Sequence, residues 1–217
     1  MEGIYLVTDE KASLGKPVLS IVSKAVEAGI SCVQLREKNS DTLEFLKQAK
    51  ALKKLLQPTR IPLIINDRID IALAAEADGV HIGQRDMPYA DVRKLMGKNA
   101  LVGLSVEIWE DVEKAQELDV DYLGVSPVFS TPTKTDTKTP WGIKGLRKIK
   151  RFSRHPLVAI GGIDQSNAKE IINAGADSIA VVSAICSARD PLKAAIQLVR
   201  IFENSYNAQE KNHEIVS

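Results

Sequence analysis

Gln34, Arg36 and Lys38 alternate within Val33-Gln34-Leu35-Arg36-Glu37-Lys38. Alternate residues of an extended segment face the same way, and two cations beside an amide donor suit a polyanion. A solvated strand end whose charges pair through Glu37 would look the same, and the spacing leaves both open. Asn66-Asp67 and Asp86 close two further apolar runs. Two carboxylates and an amide can hold a hard cation through oxygen. Mg2+ fits best, because it takes one or two carboxylates and leaves other positions to water and substrate phosphate. Each aspartate is equally suited to cap a helix, Asp86 doing so for the segment that begins Met87-Pro88. His81, between Val80 and Ile82, reads first as a packed, hydrogen-bonded residue. No other Cys or His has metal spacing around it, which argues against zinc.

Two later segments point to anion binding. Phe129-Ser130-Thr131-Pro132-Thr133-Lys134-Thr135-Asp136 is rich in hydroxyls, carries one ammonium, and reads as a lid over an anion more than as a mobile polar loop. Ile160-Gly161-Gly162-Ile163 and Val181-Val182-Ser183-Ala184-Ile185 end two apolar runs with a Gly-Gly and a Ser-capped turn. Glycine lets a ligand approach the backbone, and with a helix N-terminus it forms an anion site that needs no charged side chain.

Such residues need a frame that brings them together. Eight short apolar runs qualify as strands: Ile4–Thr8, Cys32–Arg36, Leu63–Asn66, Gly79–Ile82, Leu101–Ser105, Tyr122–Ser126, Leu157–Ile160 and Ser178–Val182. Their continuous hydrophobicity fits parallel strands covered on both sides. Amphipathic segments lie between them. One carries Leu43, Leu46, Ala49, Leu52, Leu55 and Leu56 as its expected apolar face, with Asp41 and Glu44 placed as a capping box. Asp190-Pro191 opens a final helix over Leu192–Ile201. Tags such as Glu76-Ala77-Asp78-Gly79, Leu118-Asp119-Val120-Asp121 and Asn173-Ala174-Gly175-Ala176-Asp177 recur just before strands, a weak repeat of the βα unit. The prediction is an α/β protein with a (β/α)8, or TIM, barrel: residues 1–205 form a single catalytic domain and 206–217 a polar, frayed tail. In that frame the polar strand ends, including Thr8-Asp9, Ser105 and Ser126, converge on one mouth. The two glycine and serine turns then occupy the usual phosphate site.

Composition narrows the partners. Against 29 Lys and Arg stand 28 Asp and Glu, a net charge of +1, so no global field favours nucleic acid or a membrane. No apolar run approaches a membrane span and no N-terminal signal is seen, which makes a cytoplasmic location the expectation. Cys32 and Cys186 each lie in an apolar stretch and read as reduced, buried small hydrophobes. Small-molecule substrates are the expected partners, and self-association into a homo-oligomer is left open.

The motif series resembles that of the thiamine-phosphate synthase (thiamine-phosphate pyrophosphorylase) family. It comprises Val33 to Lys38, Ile65-Asn66-Asp67, Gly79 to Asp86, Gly103-Leu104-Ser105, Asp121 to Gly124, Thr131 to Lys134, Ala159 to Ile163 and Ala180 to Ile185. The resemblance runs in order from about Ile4 to Ile185. It implies a transferase of thiamine biosynthesis. That enzyme joins 4-amino-2-methyl-5-hydroxymethylpyrimidine diphosphate to 4-methyl-5-(2-hydroxyethyl)thiazole phosphate, or its carboxylated form, giving thiamine phosphate and diphosphate. The implied course is dissociative: the methylene–oxygen bond breaks to a resonance-stabilised carbocation, which the thiazole nitrogen then attacks. Mg2+ on Asp67 and Asp86 would bridge diphosphate oxygens. Arg36, Lys38 and Lys134 would add charge-assisted hydrogen bonds. Ser105, Thr131 and Thr133 suit polar contacts to the substrates or leaving group, and Gln34 and Asn66 would orient the diphosphate or the pyrimidine. The thiazole phosphate would rest on backbone N–H groups near Gly162, Val182 and Ser183.

Two positions depart from the family pattern: Glu107, where His is frequent, and Ser126, where Gly is usual. A sister family, the thiazole tautomerases, shares the barrel and resembles a user of that His. Glu107 argues against tautomerase activity, although a carboxylate also shuttles protons. Asp86 and the Thr131-Pro132-Thr133-Lys134 run favour the synthase, since a tautomerase has no diphosphate to clamp. A non-catalytic homologue binding thiazole phosphate is the third alternative, and it has no reason to retain Asp67, Asp86, Arg36, Lys38 and Lys134.

Overall fold

The computed structural model describes residues 2–131 and 138–216, with side chains described through Ala208. Eight parallel strands close in sequence order into a barrel. They are β1 Gly3–Val7, β2 Cys32–Leu35, β3 Leu63–Asn66, β4 Gly79–Ile82, β5 Leu101–Val106, β6 Tyr122–Val125, β7 Leu157–Ile160 and β8 Ser178–Val181. Each of the eight expected strands is present, with ends shifted by no more than one residue. Between them run α1 Val18–Glu27, α2 Thr42–Leu56, α3 Ile69–Ala74, α4 Tyr89–Met96, α5 Trp109–Ala115, α6 Gly142–Phe152 and α7 Ala168–Asn173, followed by α8 Ser183–Cys186 and α9 Pro191–Val216.

Alternation along each strand divides the apolar residues into two cores. Ile4, Leu6, Val33, Leu35, Ile65, Val80, Val102, Leu104, Leu123 and Val125 pack outward against the helices. Tyr5, Val7, Cys32, Ile64, Tyr122, Val158 and Ala180 fill the barrel interior. Gln34, Asn66, His81, Ser105 and Ser126 share the inward parity of that second set, one or two steps closer to the strands' C-terminal ends. Both cysteines are buried and free. Burial pushes their thiols up, that of Cys186 to about 11, so neither is a ready thiolate.

The tags before alternate strands have one structural cause. Asp78, Asp121 and Asp177 immediately precede β4, β6 and β8. Each accepts the backbone N–H at the start of the neighbouring odd strand: Leu63 at 2.8 Å, Val102 at 2.7 Å and Leu157 at 2.8 Å. Each also pairs with a cation from the preceding even helix: Lys53 at 2.7 Å, Arg93 at 3.0 Å and Lys150 at 2.7 Å. Ser31 holds the equivalent place before β2 and donates to the Ile4 carbonyl at 3.1 Å. The repeat is therefore a βαβα unit pinned at the N-terminal face, away from the mouth. Asp177→Ala is expected to cost about 2 kcal/mol, as for a charged acceptor removed from a backbone donor. Lys150→Ala should cost under about 1 kcal/mol, because its exposed ammonium is screened. Denaturant unfolding of the two variants checks this, and equal losses would contradict it.

Two helices differ from expectation. In α2 the buried stripe is Phe45, Ala49, Leu52 and Leu56, while Leu43 is exposed. Steps of three lag the 3.6-residue turn, so the series sweeps across the core face from exposed Leu43 through buried Ala49 and Leu52 to half-buried Leu55, whereas alternating steps of four and three stay on it. Asp41 does cap the helix, accepting the Glu44 N–H at 2.8 Å. α9 continues past Ile201 to Val216. Phe202 and Ser205 are buried on its face, and no Gly or Pro interrupts residues 192–216.

Candidate active site

A cavity of roughly 240 Å3 opens at the C-terminal ends of the strands. Gln34, Arg36, Lys38, Asn66, Asp67, Asp86, Ser105, Thr131, Gly162, Val182 and Ser183 all line it. Thr133 and Lys134 lie outside the described residues. Glu107, Ser126 and Arg85 also line the cavity, so both departures from the family pattern sit at the mouth.

On the acidic side, Asp67 has a left-handed backbone, φ 60°, a conformation that a short polar side chain tolerates. Its N–H reaches the His81 carbonyl at 2.9 Å, and the next N–H, of Arg68, turns back to Asn66 at 2.7 Å. This tight turn aims the carboxylate at Lys38, whose Nζ lies 2.5 Å from Oδ2. Asp86 accepts the Gly83 N–H at 2.7 Å. Neither aspartate caps a helix: α3 begins after Arg68 and α4 after Pro88, both without a side-chain cap. Burial, and then the charge of Asp67, push the Asp86 carboxyl above its ordinary value. Among the described residues no group of three or more His, Cys, Asp or Glu gathers to hold a metal. Any ion here would be held by two carboxylates, with its other positions outside the protein's acidic ligands.

The cations face the same space. Arg36 Nη1 is anchored on Asp9 Oδ2 at 2.8 Å, a pair with side chains only 18% and 15% exposed. Its backbone N–H donates to Thr8 Oγ1 at 3.1 Å. These contacts correct the alternative of pairing through Glu37, which instead turns away and accepts from Ser40 at 3.1 Å. The other Glu37 oxygen is buried with no partner among the described residues, and burial pushes that carboxyl up.

Across the mouth, Gly161 and Gly162 have φ of 107° and 64°. A Cβ on Gly162 would stand 2.6 Å from the Ser130 carbonyl, and one on Gly161 2.7 Å from Pro127 Cβ. The Phe129 N–H donates to the Gly161 carbonyl at 3.0 Å. The Gly-Gly turn is thus the seat on which the base of the hydroxyl-rich loop rests. Ser183 is the first residue of α8, and Val182 occupies the cap position without a side-chain bond. The expected serine cap is therefore absent, and any anion here meets main-chain N–H groups ahead of Ile185, whose own N–H already reaches the Val182 carbonyl at 3.2 Å.

The cavity floor holds residues that sequence reasoning passed over. Gln34 Nε2 donates to the Tyr5 hydroxyl at 2.8 Å, which lies 2.8 Å from the Tyr122 hydroxyl. That hydroxyl is 3.1 Å from His81 Nδ1, and His81 Nε2 is 2.8 Å from Ser105 Oγ. His81 is packed and hydrogen-bonded, as first expected, yet it also lines the cavity. The available signal was parity: Tyr5 and Tyr122 share the inward register of Gln34 and Ser105.

Known proteins place this arrangement. The family model described as thiamine monophosphate synthase matches residues 4–185. A thiamine-phosphate synthase of Albidiferax ferrireducens is 55% identical over 200 residues, covering 92% of this chain and 91% of the relative. One of Leptospira biflexa is 50% identical over 202 residues, covering 91% and 96%. Among solved structures, a thiamine phosphate pyrophosphorylase from Pyrococcus furiosus superposes with a TM-score of 0.85 at 37% identity, over 94% of this chain and 96% of that one. With matches that span the barrel and both faces of its mouth, the chain belongs to the thiamine monophosphate synthase family.

Proposed function

We propose that the barrel mouth is the active site of a thiamine-phosphate synthase, which joins the pyrimidine diphosphate to the thiazole phosphate and releases diphosphate. One observation carries the reading. Asp67 and Asp86, from successive strand ends, bring two mutually repelling carboxylates together beside Lys38, and neither has a helix to cap. A divalent cation relieves that repulsion, and oxygen donors of this number suit Mg2+. When bound, Mg2+ supplies positive charge against the diphosphate oxygens.

The chain's own groups do the rest. Arg36, held by Asp9, and Lys38 donate charge-assisted hydrogen bonds to the departing diphosphate, where negative charge grows as the methylene–oxygen bond breaks. Lys134 is assigned to the same task from the sequence, and Thr133 to polar contacts with the substrates or leaving group. Ser105 and Thr131 donate neutral hydrogen bonds, and Gln34 and Asn66 orient the substrate against them. The thiazole phosphate rests on N–H groups of Gly162, Val182 and Ser183 on the opposite wall. That separation leaves the thiazole nitrogen facing the carbon that loses the diphosphate, with no general base required.

The test is formation of thiamine phosphate from the two substrates. Removal of divalent ions by EDTA is expected to lower the rate at least ~100-fold, as for loss of charge stabilisation at a leaving group. Added Mg2+ should restore it. Thiazole isomerisation without metal or diphosphate substrate would indicate the tautomerase instead, and ligand binding without turnover the non-catalytic homologue.

A further inference from the structure

We propose that the buried chain Gln34–Tyr5–Tyr122–His81 is a positioning relay that holds His81 in its Nε2–H tautomer and thereby turns the Ser105 hydroxyl into a donor facing the cavity. The inference rests on the synthase reading only for what Ser105 then donates to. The direction follows from counting protons. Gln34 donates to Tyr5, so the Tyr5 oxygen receives one hydrogen bond and its own proton needs an acceptor. The Tyr122 oxygen lies 2.8 Å away. Having accepted that proton, Tyr122 must place its own, and among the described residues its remaining partner is His81 Nδ1 at 3.1 Å. A nitrogen that accepts carries no proton, so the imidazole proton sits on Nε2 and is given to Ser105 Oγ at 2.8 Å. The Ser105 hydroxyl proton is then left to point into the cavity that Ser105 lines.

Three features support a built device. Burial pushes both phenols well above their ordinary range, so each carries its proton at any working pH. Two strands give up side chains to house the rings. A Cβ on Gly103 would lie 2.1 Å from Tyr122 Cζ, and one on Gly124 2.8 Å from His81 Cε1. The His81 and Tyr122 rings stack at 5.5 Å with planes 23° apart, which fixes the imidazole orientation. Ser105 also abuts the Asp86 side of the mouth, because its carbonyl accepts from Gln84 at 2.7 Å. Its donor therefore faces the region assigned to the leaving diphosphate. The rival arrangement sends the Tyr5 proton to the neighbouring Cys32 sulfur and reverses every later bond. Sulfur is the weaker acceptor, which favours donation running from Gln34 toward His81.

Nitrogen NMR of His81 in the wild-type protein decides the tautomer without any assay. The Nε2–H form is expected, and a dominant Nδ1–H form or a charged ring at neutral pH overturns the relay whatever the enzyme's substrate. A double-mutant cycle tests the consequence. Tyr122→Phe is expected to lower kcat roughly tenfold with KM nearly constant, and to have almost no further effect in a Ser105→Ala background. Tyr122→Phe losses of equal size in both backgrounds would make Tyr122 a packing residue only. If no variant or wild-type protein makes thiamine phosphate, the synthase reading fails while the tautomer result stands.

Discussion

Asp86→Asn is expected to lower kcat by about 10²–10³-fold, the loss typical of one preorganised charge-stabilising group removed from a transition state. The same substitution should not destabilise the protein. Asp86 is held as a carboxyl whose ionisation burial and Asp67 both oppose, and asparagine keeps an oxygen for the Gly83 N–H while removing the repelled charge. The metal-free thermal midpoint is therefore expected to rise slightly as activity collapses, a separation usual for strained functional groups. Thermal unfolding beside steady-state kinetics checks both halves. A variant that keeps near-wild-type kcat, or loses activity only by unfolding, would contradict the assignment.

Gly162→Ala should produce the second large effect, on the other substrate. At φ 64° alanine adopts the left-handed region at a cost of roughly 1 kcal/mol. Its Cβ would also press on the Ser130 carbonyl and on Phe129 Cβ, 2.6 and 2.9 Å away. The turn and the loop base it supports must then shift. Displacement by about an ångström at a positioning element costs on the order of 10²-fold, so kcat/KM for the thiazole phosphate should fall by about that factor. Binding of the pyrimidine diphosphate alone, followed by calorimetry, should change less than about tenfold, because Arg36, Lys38 and the aspartates lie on the opposite wall. Equal losses for both substrates would show that the glycine turn is a general structural element and not a phosphate seat.

Much of this was legible from residue order. Eight continuous apolar runs announce parallel strands because both faces of such strands are covered, and a polar residue at the end of each run marks the shared mouth. What stayed hidden depended on closure. Tyr5 and Tyr122 look like core aromatics in a strand, and only the closed barrel turns their parity inward, where Gly103 leaves room for the Tyr122 ring and Gly124 for His81 stacked on it. Asp67 and Asp86 were ambiguous for a related reason. An aspartate between a strand and a helix has the same signature as cap or as ligand, and only the turn geometry around Asn66 and Gly83 removes the cap reading. Glu37 is adjacent in sequence to two cations, yet Arg36 pairs with Asp9 and Lys38 with Asp67. Those partners lie more than twenty residues away, beyond the reach of local spacing.

The proposed ion site can be read without turnover by titrating Mn2+ against the protein and inorganic diphosphate, with electron paramagnetic resonance reporting free metal. One diphosphate-dependent Mn2+ per chain is expected, with affinity at least about tenfold weaker in Asp67→Asn and in Asp86→Asn, each a lost charged ligand. Unchanged Mn2+ affinity in both variants, in the presence of diphosphate, would mean that these aspartates do not hold the ion.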